Sequence, residues 1–192
     1  MSATAPLVSN DKDMYIVEMP LRKSDGSLGI VNGYVKPDAD VHIGYLPYTK
    51  RSIINQMFKL LNTPYGWHGQ DNKRDCVGTL RVVFRCCGLI TGRHMSAAST
   101  HRVEFDSSLS IQDKTAEVSK IEPVITTASG PGHIVLYLGK ARNGKLYFMH
   151  QGGWGYKDED GRNLIVNRVS INVATHSWYS IEKPNVFTTL KN

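Results

Sequence analysis

The stretch Asn72–Gly88, NKRDCVGTLRVVFRCCG, contains all three cysteines of the chain and decides how the rest is read. Asp75 is a favoured helix N-cap, because a carboxylate can accept the unpaired amide hydrogens of a first turn. Leu80, Val83, Phe84 and Cys87 follow at i, i+3, i+4 and i+7, and Gly88 supplies a stop signal, so the spacing predicts an amphipathic helix. Cys87 sits on the apolar stripe and reads as a small buried hydrophobe, with Cys86 flanking it. Cys76 stands apart, in the first turn. There it faces unpaired N–H groups and the positive end of the helix dipole, a setting that favours thiolate and lowers a thiol pKa. The plainer alternative is a cysteine that only fills space. Cys76 and Cys87 would lie about 16 Å apart along such a helix, far beyond the roughly 4.4–6.8 Å a disulfide spans. No C-x-x-C spacing is present, so neither a disulfide set nor a structural zinc site is expected.

Upstream, residues 14–45 mix short β-type runs with the turn signals S-D-G, N-G and P-D-A-D. They predict two or three strands, too few to stand alone. We therefore divide the chain into a small β module, 1–45, and a main domain, 46–192. The main domain opens on residues 49–62, TKRSIINQMFKLLN, where Ile53, Ile54, Met57, Phe58 and Leu61 recur at helical spacing behind a Thr49 cap.

Downstream, GPGHIVLYLGKARNGKLYFMHQGGWGY predicts a hairpin of strands 133–139 and 144–150. A two-residue turn at Asn143-Gly144 would set His150 against Tyr137 and leave His133 and His150 about 13 Å out of step. A four-residue loop, Lys140–Asn143, would set the two histidines opposite each other with Cβ atoms about 5 Å apart. Turn chemistry alone does not choose. The second register is preferred because it assembles a nucleophile, a base and an orienting group.

The totals bound the function. A chain of 192 residues with 41% hydrophobic and 21% charged residues describes an ordinary globular protein. No apolar run reaches the roughly 18 residues of a membrane helix. The first dozen residues lack the apolar centre of a secretory signal; the chain is either cytoplasmic, a delivered effector, or an excised mature region of an envelope protein. The net charge of +6 favours an acidic partner. The basic residues are scattered singly and in pairs, which argues against nucleic acid and fits an anionic wall polymer as well. A monomer is the default expectation.

Three segments, PYGWHGQDNKRDCVGTLRVVFRCCG, GPGHIVLYLG and MHQGGWGY, together resemble the NlpC-type cell-wall peptidases. These are papain-like bacterial cysteine hydrolases with motifs of the form Y-G-W-G-G, D-C-S and G-H-I-x-x-Y-L-G. The resemblance spans about residues 45–192, and residues 14–45 look like part of the Src-homology-like bacterial barrel module that precedes such domains in one branch. It implies an α+β fold in which the helix bearing the nucleophile packs on an antiparallel sheet. It implies hydrolysis of peptidoglycan stem peptides or muropeptides, at the bond between γ-linked D-glutamate and a diamino acid, with no cofactor and no metal. Carried over by position, Cys76 is the nucleophile, His133 the general base and His150 the polar third member. Asp75 matches a residue that holds the free amine of an N-terminal L-alanine, and Tyr65 an aromatic hydroxyl beside the nucleophile. Trp67, Arg93 and Trp154 are the remaining candidate substrate-binding residues.

Departures from the pattern are specific. Val77 stands where the family has serine, His68 where it usually has glycine, and the 91–99 segment keeps Arg93 but loses its neighbours' pattern. Relatives with two barrel modules use the first to close the substrate pocket, and this chain has room for one. Each assignment also has a structural rival: Asp75 as a simple cap, Tyr65 and Trp67 as core aromatics, His150 as a strand histidine bonded to backbone. Two other functions share the sequence features: a non-catalytic wall-binding module, and an amidase or acyltransferase toxin of the same fold.

Overall fold

The computed structural model describes residues 5–10, 13–92, 95, 100–152, 155–157, 160–174, 181–182 and 184–190. The chain divides into two compact units, Met1–Leu46 and Pro47–Asn192. Among the described residues no helix is long and apolar enough to cross a membrane.

The first unit is an antiparallel meander of β1 (Leu7–Asn10), β2 (Tyr15–Arg22) and β3 (Leu28–Val35), in the order β1-β2-β3. The S-D-G signal closes the β2–β3 turn: Asp25 accepts from the Ser27 amide at 2.9 Å and Gly26 takes φ +83°, a left-handed value open to glycine.

The second unit begins with α1 (Lys50–Lys59), whose Thr49 cap accepts from the Ser52 amide at 3.1 Å. Ile53, Met57 and Leu60 are buried, whereas Phe58 is 47% exposed, and the helix ends three residues before the predicted Asn62. The predicted second helix is α2 (Cys76–Cys86), with Asp75 accepting from the Gly78 amide at 2.7 Å. Its stripe of Leu80, Val83, Phe84 and Cys87 is buried, and none of the three cysteines is in a disulfide. Strand β4 (Thr100–Glu104) follows, then α3 (Ile111–Val118), capped by Ser110.

Strands β5 (Thr126–Gly130), β6 (His133–Lys140), β7 (Leu146–Gly152), β10 (Arg168–Val173) and β11 (Val186–Leu190) join β4 in one antiparallel sheet, ordered β10-β7-β6-β5-β11-β4. A separate ribbon pairs β8 (Gly155–Lys157) with β9 (Asn163–Ile165). The element set is α+β, helices on an antiparallel sheet. Side chains alternate across the sheet. Val135, Tyr137, Phe148 and Phe187 pack with Val118 of α3 in one buried cluster. The opposite alternation on β7 brings Gln151 to Thr79 of α2, where the hydroxyl donates to the Gln151 carbonyl. The Gln151 amide donates in turn to Pro64 O at 2.6 Å, fixing the loop after α1 to the sheet.

Candidate active site

Cys76 occupies the first turn of α2, and its sulfur lies within hydrogen-bonding range of the backbone N–H groups of Ile134, Val77 and Cys76 itself. Ile134 follows His133 at the start of β6, so the helix start and the strand start meet at the sulfur. The position of the thiol in its helix predicts a lowered pKa; the structure reverses the direction. Burial pushes the thiol above its ordinary value, the adjacent Asp75 carboxylate adds to this, and the three amide hydrogens oppose it without prevailing.

The two histidines meet, though by neither of the predicted registers. Gly144 N–H bonds Ala141 O at 2.9 Å and Ala141 N–H bonds Lys145 O at 2.9 Å, while Gly144 takes φ +79°. This is a three-residue turn that places its glycine in the left-handed position. The pairing then shifts by one residue between Tyr137 and Gly139, where Gly139 has φ +104°. Leu136 consequently faces Met149, and continuing that register sets His150 against Val135 and His133 against Gly152. The histidines are therefore diagonal neighbours rather than directly opposed. Gly152 lies against both rings: a Cβ there would make ordinary contacts, 3.5 Å from His150 Nδ1 and 3.7 Å from His133 Cε1. His133 Nε2 and His150 Nδ1 are 2.8 Å apart and share a hydrogen bond. The rings are nearly perpendicular, at 77°.

The row continues onto β10. Ser170 pairs with His150 and Asn172 with Phe148, so Asn172 is the diagonal neighbour of His150 on the same face. Its side-chain amide meets His150 Nε2 and lies 3.2 Å from Ser170 Oγ. Sequence reading did not single out Asn172. The available signal was the alternation in RVSINV, which puts Ser170 and Asn172 together on one strand face. Burial keeps both imidazoles neutral: His150 is lowered to about 4, and His133 to about 3 by desolvation and then by the proximity of His150. At neutral pH the thiol and both rings are therefore uncharged.

A groove of about 910 Å³ runs past Cys76 and His133. Cys76, Val77 and Asp75 line it from the helix start, Gly130–Ile134 from the β5–β6 turn, and Trp67 and His68 from the loop before α2. Lys73, Arg74 and Arg81 add positive charge to its wall, and Glu104 adds a carboxylate. Tyr65 is half-buried, and burial raises its hydroxyl pKa, with Cys76 and Asp75 adding to the rise. Trp67 is 57% exposed, a groove wall rather than a core aromatic. His68 takes φ +50° and ψ 27°, the left-handed conformation glycine adopts without strain. Asp75 caps α2 and also lines the groove. Arg93 and Trp154 lie outside the described residues. Among the described residues there is no group of three or more His, Cys, Asp or Glu side chains that could hold a metal ion.

The fold, helices on an antiparallel sheet, is shared with solved structures. A solved structure described as a novel NlpC/P60 endopeptidase from Photobacterium damselae subsp. piscicida superimposes with a TM-score of 0.63 at 16% identity, over 91% of this chain and 46% of that one. An NlpC/P60 family protein from Bacillus cereus ATCC 10987 superimposes with a TM-score of 0.53 at 15% identity, over 95% of this chain and 52% of that one. The chain thus has the NlpC/P60 fold and spans about half the length of these structures. No family model and no curated protein matches the sequence.

Proposed function

We propose that the chain is a cysteine peptidase that hydrolyses peptidoglycan stem peptides at the γ-D-glutamyl–diamino acid bond. The observation that carries the reading is that Cys76 and His133 line one groove, with His133 hydrogen-bonded to His150. The likeness to solved NlpC/P60 structures supports it as a likeness of fold.

In this reading His133 Nδ1 takes the Cys76 proton as the sulfur attacks the scissile carbonyl, forming the C–S bond. The sulfur begins neutral, so charge appears only as substrate enters and the imidazolium and oxyanion form together. Backbone N–H groups at the helix start stabilise the oxyanion, with the Tyr65 hydroxyl as a second contact. Collapse breaks the C–N bond, and His133 returns its proton to the leaving amine. Water, deprotonated by His133, then attacks the thioester and releases the carboxylic acid and the thiol. His150 holds the His133 ring through Nε2 throughout. Asp75 receives the substrate's free amine, and Lys73, Arg74 and Arg81 supply positive potential for its carboxylates.

Mass spectrometry of purified muropeptides after digestion tests this directly. The reading predicts new amino-terminal diamino-acid fragments, lost with Cys76→Ala and retained with a chelator. Binding to sacculi with no product would support a wall-binding module instead, and release at an amide outside the stem peptide would support an amidase.

A further inference from the structure

Two neutral imidazoles joined by one hydrogen bond carry two protons on four nitrogens, and the bond permits two arrangements. In the first, His133 Nε2–H donates to His150 Nδ1, and the proton of His150 is on Nε2. In the second, His150 Nδ1–H donates to His133 Nε2, the proton of His133 is on Nδ1, and His150 Nε2 is bare. Only the first leaves His133 Nδ1 able to accept a proton from Cys76.

The group that selects between them is the side-chain amide of Asn172, which lies with Nδ2 toward His150 Nε2 and toward Ser170 Oγ. A carbonyl oxygen there favours the first arrangement, and an amide NH2 the second. The oxygen and nitrogen of an amide are nearly isosteric, and a half-turn of the amide group exchanges them. Ser170, 3.2 Å from the same amide atom, accommodates either, since a hydroxyl both donates and accepts. The reaction does not accommodate both. Once His133 is protonated, both of its nitrogens donate, His150 Nδ1 must accept, and His150 Nε2–H needs an acceptor of its own. Oδ1 meets that need before and after proton transfer without any rearrangement; NH2 would oppose it at the step where charge develops.

We propose that Asn172 is a positioning residue that acts through His150: with its amide turned by half a revolution from the orientation above, its Oδ1 accepts the His150 Nε2–H and thereby keeps the proton of His133 on Nε2. The relay runs from β6 through β7 to β10, along one sheet face. It rests on the roles given above to Cys76 and His133, and it extends their chemistry to a residue outside the resembling motifs.

The test pairs kinetics with imidazole ¹⁵N NMR on the full chain. In Cys76→Ala, which removes the nucleophile but leaves the relay, both histidines are expected to be protonated on Nε2. Asn172→Leu removes the acceptor. It should mix the tautomers and lower kcat by about tenfold to a thousandfold, less than loss of the orienting carboxylate costs in a serine triad, with KM within about twofold. Asn172→Asp can only accept, so it should keep both protons on Nε2 and recover most of the kcat lost in Asn172→Leu. A His150 protonated on Nδ1 in the parent chain, or an aspartate variant as poor as the leucine one, overturns the proposal. The NMR arm requires no activity: the expected tautomers in a chain without thiol-dependent hydrolysis would uphold the relay while rejecting the peptidase reading. Should the leucine variant not fold, the parent tautomers and the aspartate variant still decide.

Discussion

The hairpin β2–β3 and the hairpin β6–β7 are both antiparallel pairs of long strands, yet they differ in what covers them. In β2–β3, Met19, Leu21, Ile30 and Tyr34 are 48%, 51%, 72% and 65% exposed. In β6–β7, Ile134, Val135, Leu136, Tyr137, Phe148 and Met149 are all buried, with α2 packed on the hairpin and Val118 of α3 in the cluster of Val135, Tyr137 and Phe148. Strand pairing alone satisfies the backbone; it does not create a low-dielectric site. Coverage does, and it is coverage that holds His133 and His150 uncharged at 7% and 8% exposure and lifts the Cys76 thiol. The first hairpin can hold a shape, while the second can hold a chemistry.

Variants in the covered hairpin and its helix should break this contrast hardest. Cys76→Ala is expected to abolish stem-peptide hydrolysis, a loss on the order of 10⁴-fold or more, without changing the far-UV circular dichroism spectrum. His150→Phe preserves a ring but not the bond to His133, and should lower kcat by about 10²- to 10⁴-fold with little change in KM; an equal loss in Cys76 alkylation by a small neutral reagent would instead indicate a collapsed groove. Next in size, Gln151→Leu should destabilise the chain by about 1–3 kcal/mol in urea unfolding, because it strands the Thr79 hydroxyl and the Pro64 carbonyl.

Acid should act on the same hairpin. In the unfolded chain each histidine titrates near 6.5, and in the folded chain near 3 and 4. Between those limits the unfolded state binds protons that the native state does not. Stability is then complete above about pH 6.5 and falls on acidification, by about 1.4 kcal/mol per pH unit for each such proton. A pH series of urea midpoints measures this, and His150→Phe should flatten the slope. The smallest effects belong to the uncovered side: Ile30→Ser should leave peptidase kinetics unchanged and shift stability by no more than about 0.5 kcal/mol.

The parts of this site legible in the sequence were those set by local chemistry. The Asp75 and Thr49 caps and the stripe through Leu80, Val83, Phe84 and Cys87 follow from short-range patterns; the meeting of His133 with His150 was expected only because it assembles a base and an orienting group. The register was not legible, because two single-residue irregularities act together: a three-residue turn at Arg142–Gly144 and a shift beside Gly139. Neither leaves a mark that distinguishes it from turns of two or four residues. The thiol's pKa direction was misjudged because a helix start is visible in sequence and burial is not. Asn172 was missed because its partner is in contact only after β10 docks on β7, 22 residues away in sequence from His150. The left-handed backbone at His68, where the resembling motif has glycine, is likewise a property of the folded loop.

The account depends above all on the Cys76 sulfur forming a covalent bond to the substrate's acyl group. Acid-quenching the chain during turnover of an L-alanyl-γ-D-glutamyl–diamino acid peptide, followed by intact-mass and peptide mapping, reads that bond. The proposed mechanism requires a labile acyl adduct confined to the peptide containing Cys76, at a mass equal to the L-alanyl-γ-D-glutamyl portion. Continued hydrolysis with no adduct at any quench time, together with undiminished turnover by Cys76→Ala, would contradict it.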